Sequence, residues 1–352
     1  MRTVVIALAV AVLGLAAAFF SGLIDFGGTQ TSSGNEAVQT ASAAGCAKDA
    51  EIAAAERDGA TAAAQAFYTA LLKSDDTAFD AMTDEAKKLV AKTQFQTMMR
   101  TIVGNGPYEG LAIENTYKPT VVGDPARSPC DTLAVSALPK TTQIHTLFNA
   151  HTRNNDWSLS AWMIEENKTW RVHAFYVAPS SIVGLGPDEL FAMAEDQAKK
   201  GNAFNAYMLY VTAKGTADRG PNIDLAISKS IDAALAQLTP PDDLKGAPPF
   251  NWKIGRETFP VEFVAVVGTD KRLGLMFLHR DPAWDGKDTG KGERRNKRLI
   301  DGFVKAHPSY KDVFAYIVAR ILEPGKDTGW GTVYDAAKGY DTGEPSPAKK
   351  TN

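Results

Sequence analysis

Few residues in this 352-residue chain have types and spacings that suggest chemistry. Cys46 and Cys130 are the two cysteines; in an oxidising compartment an even pair permits a disulfide, and otherwise they are unrelated thiols. His145 and His173 sit in apolar runs with Trp162 and Tyr176 nearby, a set that could bind a small molecule or move a proton if it converged on a cleft. Without that convergence they are satisfied core or surface side chains. Asp281, Asp285 and Asp288 share a loop with Gly286 and Gly290, oxygen ligands of the kind calcium takes. Their spacing is not that of a calcium loop, and Lys287 and Lys291 interrupt the negative field, so no metal and no cofactor is assigned. Lys291, Arg294, Arg295, Lys297 and Arg298 form a basic patch opening a predicted helix, able to meet lipid headgroups or an acidic partner, or simply to be solvated. Cations are unfavourable at a helix N-terminus, so an acidic neighbour or a function would offset them.

The sequence has no His-Glu-x-x-His, Gly-x-Ser-x-Gly, complete phosphate loop, full Gly-x-Gly-x-x-Gly or Cys-x-x-Cys. An enzyme built on this chain would be of unfamiliar type. The 38 basic against 41 acidic residues leave a net charge of -3, which argues against the strongly basic footprint of a nucleic-acid binder. A hydrophobic share of 44% is that of a chain that folds.

Residues 4–24 are free of charge, long enough to cross a bilayer as a helix. Two readings of residues 1–26 stand: an uncleaved signal anchor, or a signal peptide cut after Ala16-Ala17-Ala18. Arg2 precedes the run while Asp25, Glu36, Asp49 and Glu51 follow it, which places the body outside the cytoplasm. The expected location is the inner membrane with the body in the periplasm, or the periplasm itself after cleavage. Residues 27–50, rich in Gly, Ser, Thr, Gln and Ala, read as a flexible tether.

The body is expected to be α+β. Phe67, Ala70 and Leu71 share a helix face, and Thr83-Asp84-Glu85 opens a second helical tract carrying Leu89, Phe95, Met98 and Met99. Beyond Gly104-Asn105-Gly106-Pro107 the period becomes two. Strands are expected over 133–138, 144–150 and 157–164, and a fourth over 170–177 pairs with the third through the polar turn Glu165-Glu166-Asn167-Lys168. A helix pair followed by a bent antiparallel sheet closed by Trp157-Ser158-Leu159-Ser160 and Lys168-Thr169-Trp170-Arg171-Val172 resembles the NTF2-like superfamily, particularly its small exported members, over 51–182. The resemblance implies a conical cavity that His145, Trp162, His173 and Tyr176 would line.

A helical middle is expected over 187–240. Gly201, Ala206, Tyr210 and Ala213 resemble the second half of a tetratricopeptide repeat in residues 188–215, without a second copy, so a single helix hairpin is the reading. A third helix is expected over 223–238, stopped by Thr239-Pro240-Pro241, and a linker over 242–249. The C-terminal α/β unit, 250–338, is read as strands over 259–267 and 273–278, then helices over 294–305 and 310–322. Residues 339–352 read as a disordered tail. The functional expectation is a non-enzymatic envelope protein that scaffolds or binds a protein partner, anchored by its N-terminal segment. The alternatives are a carrier of a small apolar ligand, or an unfamiliar enzyme at the same cavity.

Overall fold

The computed structural model describes residues 45–120, 126–326 and 328–340. The expected membrane segment and nearly all of the tether lie outside them; among the described residues no helix is long and apolar enough to cross a membrane. The fold is α+β, with eight α-helices and three sheets among the described residues. The chain divides into two compact units, residues 1–190 with 213–236 and residues 191–212 with 237–352.

In the first unit, helix α1 (Ala54–Leu72) buries Ala60, Ala64, Phe67, Tyr68 and Leu71 on one face, the spacing of an amphipathic helix. The expected second helix is broken into α2 (Thr77–Asp80), α3 (Asp84–Leu89) and α4 (Lys92–Val103). Thr83 caps α3 by accepting the Ala86 N–H, and Phe95, Met99 and Ile102 bury α4.

Strands β1 (Cys46–Lys48), β2 (Glu109–Pro119), β5 (Gln143–His151), β6 (Asp156–Glu166) and β7 (Thr169–Pro179) form an antiparallel sheet in the order β1-β2-β5-β6-β7. Asn167 and Lys168 both take positive φ, the two-residue geometry that matches strand twist, so the expected hairpin forms. Ile144, Phe148, Ala150, Leu159, Ala161 and Met163 face α1 and α4. Alternation sends Tyr117 and Leu147 to the opposite face, where they join Cys130, Leu133, Val135 and Ile223. There β3 (Ala126–Cys130), β4 (Leu133–Ala137) and β8 (Ile223–Leu225) form a second sheet. Burial on both faces explains why β5 and β6 are almost continuously buried.

Helices α5 (Pro187–Lys199) and α6 (Ala203–Ala217) occupy the expected hairpin, but the helical middle is not a unit by itself: residues 191–212 belong to the second unit and 213–236 to the first. The third helix begins later than expected. Ile223, Asp224 and Leu225 are spent on β8, and α7 covers Ala226–Gln237.

The second unit carries one sheet of β9 (Phe250–Ile254), β10 (Glu257–Thr269), β11 (Arg272–Arg280), β12 (Tyr316–Leu322), β13 (Gly329–Asp335) and β14 (Gly339–Tyr340), neighbours in space as in sequence. Only β11 and β12 run parallel, joined by helix α8 (Thr289–Ala306). The expected second C-terminal helix is overturned: a short 3₁₀ turn, Pro308–Asp312, precedes β12. All of Tyr316-Ile317-Val318-Ala319-Arg320-Ile321-Leu322 is buried, as a central strand covered on both faces requires, and a run whose only charge is Arg320 has no period to distinguish it from a buried helix. Residues 242–249 are no free linker, because Trp252 donates to the Asp243 carbonyl and His307 bonds its carboxylate at 2.6 Å. Gly339 and Tyr340 extend the sheet, and the remaining tail residues lie outside the described ones.

Candidate functional site

Three of the four candidate residues come together in one aromatic stack. His145 stacks on Trp162 with centroids 5.0 Å apart at 21°, and His173 meets the same indole edge-on at 4.9 Å. His145 and Trp162 are paired neighbours on β5 and β6. Both lie on the sheet face opposite α1 and point away from the helix-facing side. That side is filled by edge-to-face contacts linking Phe67 with Tyr68 (5.2 Å) and Phe175 (5.0 Å), Tyr68 with Phe148 (5.4 Å), and Phe95 with Phe175 (5.8 Å).

Each side chain of the stack makes a polar contact inside the unit. His145, 1% exposed, directs Nε2 at the Ser136 carbonyl across 2.7 Å, so that nitrogen carries the proton. The Trp162 indole N–H donates to Gln143 Oε1 at 3.0 Å; Gln143 also accepts from the Leu138 N–H and donates to the Leu138 carbonyl. His173 is the extra residue of a β-bulge, since Trp162 pairs with Ala174 and Met163 with Val172. The Thr83 hydroxyl that caps α3 lies 3.4 Å from His173 Nδ1. Burial pushes the His173 pKa down, opposed by Glu85 and Glu166. Tyr176 is engaged elsewhere: its hydroxyl donates to Asp218 at 2.7 Å, and burial, then the Asp218 charge, hold its pKa well above the usual phenol range.

One further cluster contains the residue types of a hydrolytic triad in the wrong order. His151 Nδ1 bonds Asp156 Oδ1 at 2.6 Å, and the Ser181 hydroxyl donates to Asp156 Oδ2 at 2.6 Å. The carboxylate stands between ring and hydroxyl, so the imidazole does not act as base on the serine; a nucleophile needs the base as its direct partner.

Cys46 and Cys130 are bonded, joining β1 to β3 with their Cα atoms 5.1 Å apart. The acidic loop is used locally: Asp285 and Asp288 cap the Lys287 and Lys291 amides, and Asp281 pairs with Arg295 at 3.3 Å. No group of three or more His, Cys, Asp or Glu residues suited to a metal occurs among the described residues. The basic patch is not an open field of charge. Arg295 lies over the Phe259 ring at 3.8 Å and pairs with Glu257 and Asp281; Arg298 pairs with Glu257 at 3.1 Å and Lys297 with Glu293 at 2.7 Å. Asp288 supplies the acidic cap at the helix start, while Arg294 stays exposed.

Sequence reasoning noted His279 at a strand end as ambiguous, and missed Gln143, the hub that locks Trp162, and Asn296, the interior partner of His279 in the second unit. Gln143 follows two threonines and Asn296 lies in a charged stretch, so neither carries a local sign. A groove of about 290 Å³ lies beside α8, where Arg298 and Lys305 alternate with Glu257 and Asp301 over Phe259 and Ile254, so neither charge sign predominates. No family model, curated protein or solved structure matches the chain.

Proposed function

We propose that this protein is a non-enzymatic interaction or scaffolding module of the cell envelope, held outside the cytoplasm by residues 1–26 and bound to a protein partner. The observation carrying this reading is the interlocked state of the best candidate site. His145 Nε2, the Trp162 indole N–H and His173 Nδ1 are directed at Ser136, Gln143 and Thr83, and aromatic rings fill the opposite sheet face. General acid–base work needs groups that converge on a space a substrate can enter. The uncharged run over 4–24 supports the membrane anchor, and the Cys46–Cys130 bond fits an oxidising compartment such as the periplasm. The helix-then-sheet order of residues 51–182 supports the NTF2-like reading, with the cone occupied by side chains rather than by ligand.

The test is crosslinking in the native envelope followed by identification of copurified proteins, alongside the double variant His145→Ala/His173→Ala. A reproducible protein partner is expected, with the cellular role kept at normal abundance of the variant. A folded, normally abundant variant that loses the role would overturn the scaffold reading.

A further inference from the structure

We propose that the Cys46–Cys130 disulfide is a redox latch: a dithiol reductant that opens it releases β1 from the first unit while β5, β6 and β7 stay folded. β1 is three residues long, lies at the edge of its sheet, and pairs only with Tyr117, Lys118 and Pro119 of β2. Its other fastenings are small: Ala47 packs partly buried against the α1-side core, Cys46 against the smaller cluster, and Lys48 lies over the Tyr117 ring at 5.7 Å. The Gly45 carbonyl accepts from the Thr120 N–H at 2.8 Å and from the Ser128 hydroxyl at 3.2 Å. Lys48 pairs with Asp131 at 3.0 Å, but both side chains are at least 36% exposed, where an ion pair contributes little. Once the covalent link is gone, a few net hydrogen bonds and the partial burial of two small side chains oppose the backbone freedom that residues 45–48 regain. By contrast β5, β6 and β7 are paired along their whole lengths and buried on the α1 face.

The release has a defined stopping point. Asp49 Oδ1 accepts from both the Thr116 N–H (2.8 Å) and its hydroxyl (3.0 Å), fastening the turn after β1 to β2. Opening therefore runs from Gly45 to Lys48 and halts at Asp49. It bares the β2 edge at residues 117–119, continuing the stretch at 109–115 that has no strand on that side among the described residues. It also uncouples whatever precedes Gly45 from the sheet.

The chemistry is asymmetric because Cys46 is partly exposed and Cys130 is only 2% exposed. A thiolate of the dithiol attacks Cys46 Sγ and Cys130 leaves as thiolate. The second thiolate of the dithiol then resolves the mixed disulfide. Two electrons and two protons pass to the protein, giving two thiols, and the reductant becomes a disulfide.

Hydrogen exchange of the full chain before and after dithiothreitol tests the proposal. After reduction, the amides of residues 46–48 and of Tyr117 and Lys118 should lose at least tenfold of their protection, while β5–β7 stay protected through the same time window. The variant Cys46→Ser/Cys130→Ser should reproduce this without reductant. Protection at 46–48 unchanged in the reduced protein, loss of protection across β5–β7 in the same window, or a bond that native protein does not surrender to dithiothreitol would each overturn the latch.

Discussion

Nε2 of His279 donates to Oδ1 of Asn296 across 2.7 Å in the interior of the second unit, and this bond fixes which ring nitrogen carries the proton. Asn296 uses its amide N–H groups on the Trp330 carbonyl and Thr332 Oγ1, leaving only its oxygen for the histidine. The other ring nitrogen, Nδ1, is buried with no hydrogen-bond partner, so the imidazole is neutral near pH 7. Burial pushes its pKa down to about 4, partly offset by the Asn296 bond, and the adjacent Arg295 adds to the cost of a second proton.

A base whose folded pKa lies below its unfolded value stabilises the fold fully above the unfolded pKa. That contribution is lost as pH falls from 6.5 toward 4. Chemical denaturation at pH 4.5 should find the second unit about 2–3 kcal/mol less stable than at pH 7 from this group. In His279→Gln, a side chain that does not titrate, this part of the slope should vanish; an unchanged slope would assign it to other groups.

Gln143 makes three hydrogen bonds, one with the buried Trp162 indole and two with the half-buried Leu138 backbone, so Gln143→Leu keeps the volume and orphans those groups. A loss of about 3 kcal/mol is expected, read as a lower urea midpoint at constant slope.

In Gly274→Ala the new methyl would overlap the Tyr316 ring, which covers this glycine from the neighbouring strand. Because Tyr316 is 4% exposed and has little room to swing, a loss of about 1–3 kcal/mol is expected by thermal unfolding. Gly274→Ala/Tyr316→Leu should recover part of it.

The Cys46–Cys130 bond spans a sequence separation of 84 residues. On the chain-entropy account its removal lowers global stability by about 4–5 kcal/mol, measured as the urea midpoint of the oxidised protein against Cys46→Ser/Cys130→Ser.

The hairpins at Asn167-Lys168 and Asp270-Lys271 were legible because their turn residues and flanking alternation are local. β12 was not, since a strand buried on both faces shows no period to read. β2 escaped notice for a related reason: two register irregularities against β5 break its alternation, and Gly110 interrupts it. At the candidate site, the aromatic and histidine residues could be picked out by type. Their sheet face could not, because it depends on which surface α1 covers. Gln143 reads locally as one polar residue at a strand start, and only its pairing with Trp162 and Leu138 gives it importance.

The interleaving of the two units bears on how the protein can be dissected. The polypeptide changes unit after residues 190, 212 and 236, so each unit is in part an insertion within the other. A fragment ending at 190 lacks β8, the third strand of its small sheet. One starting at 237 lacks Phe204, whose ring stands 4.9 Å from Phe303, and Asn205, which donates to the Ser309 carbonyl. Deletion mapping by simple truncation will therefore register lost folding as lost function, whereas point substitutions leave the interleaved units whole.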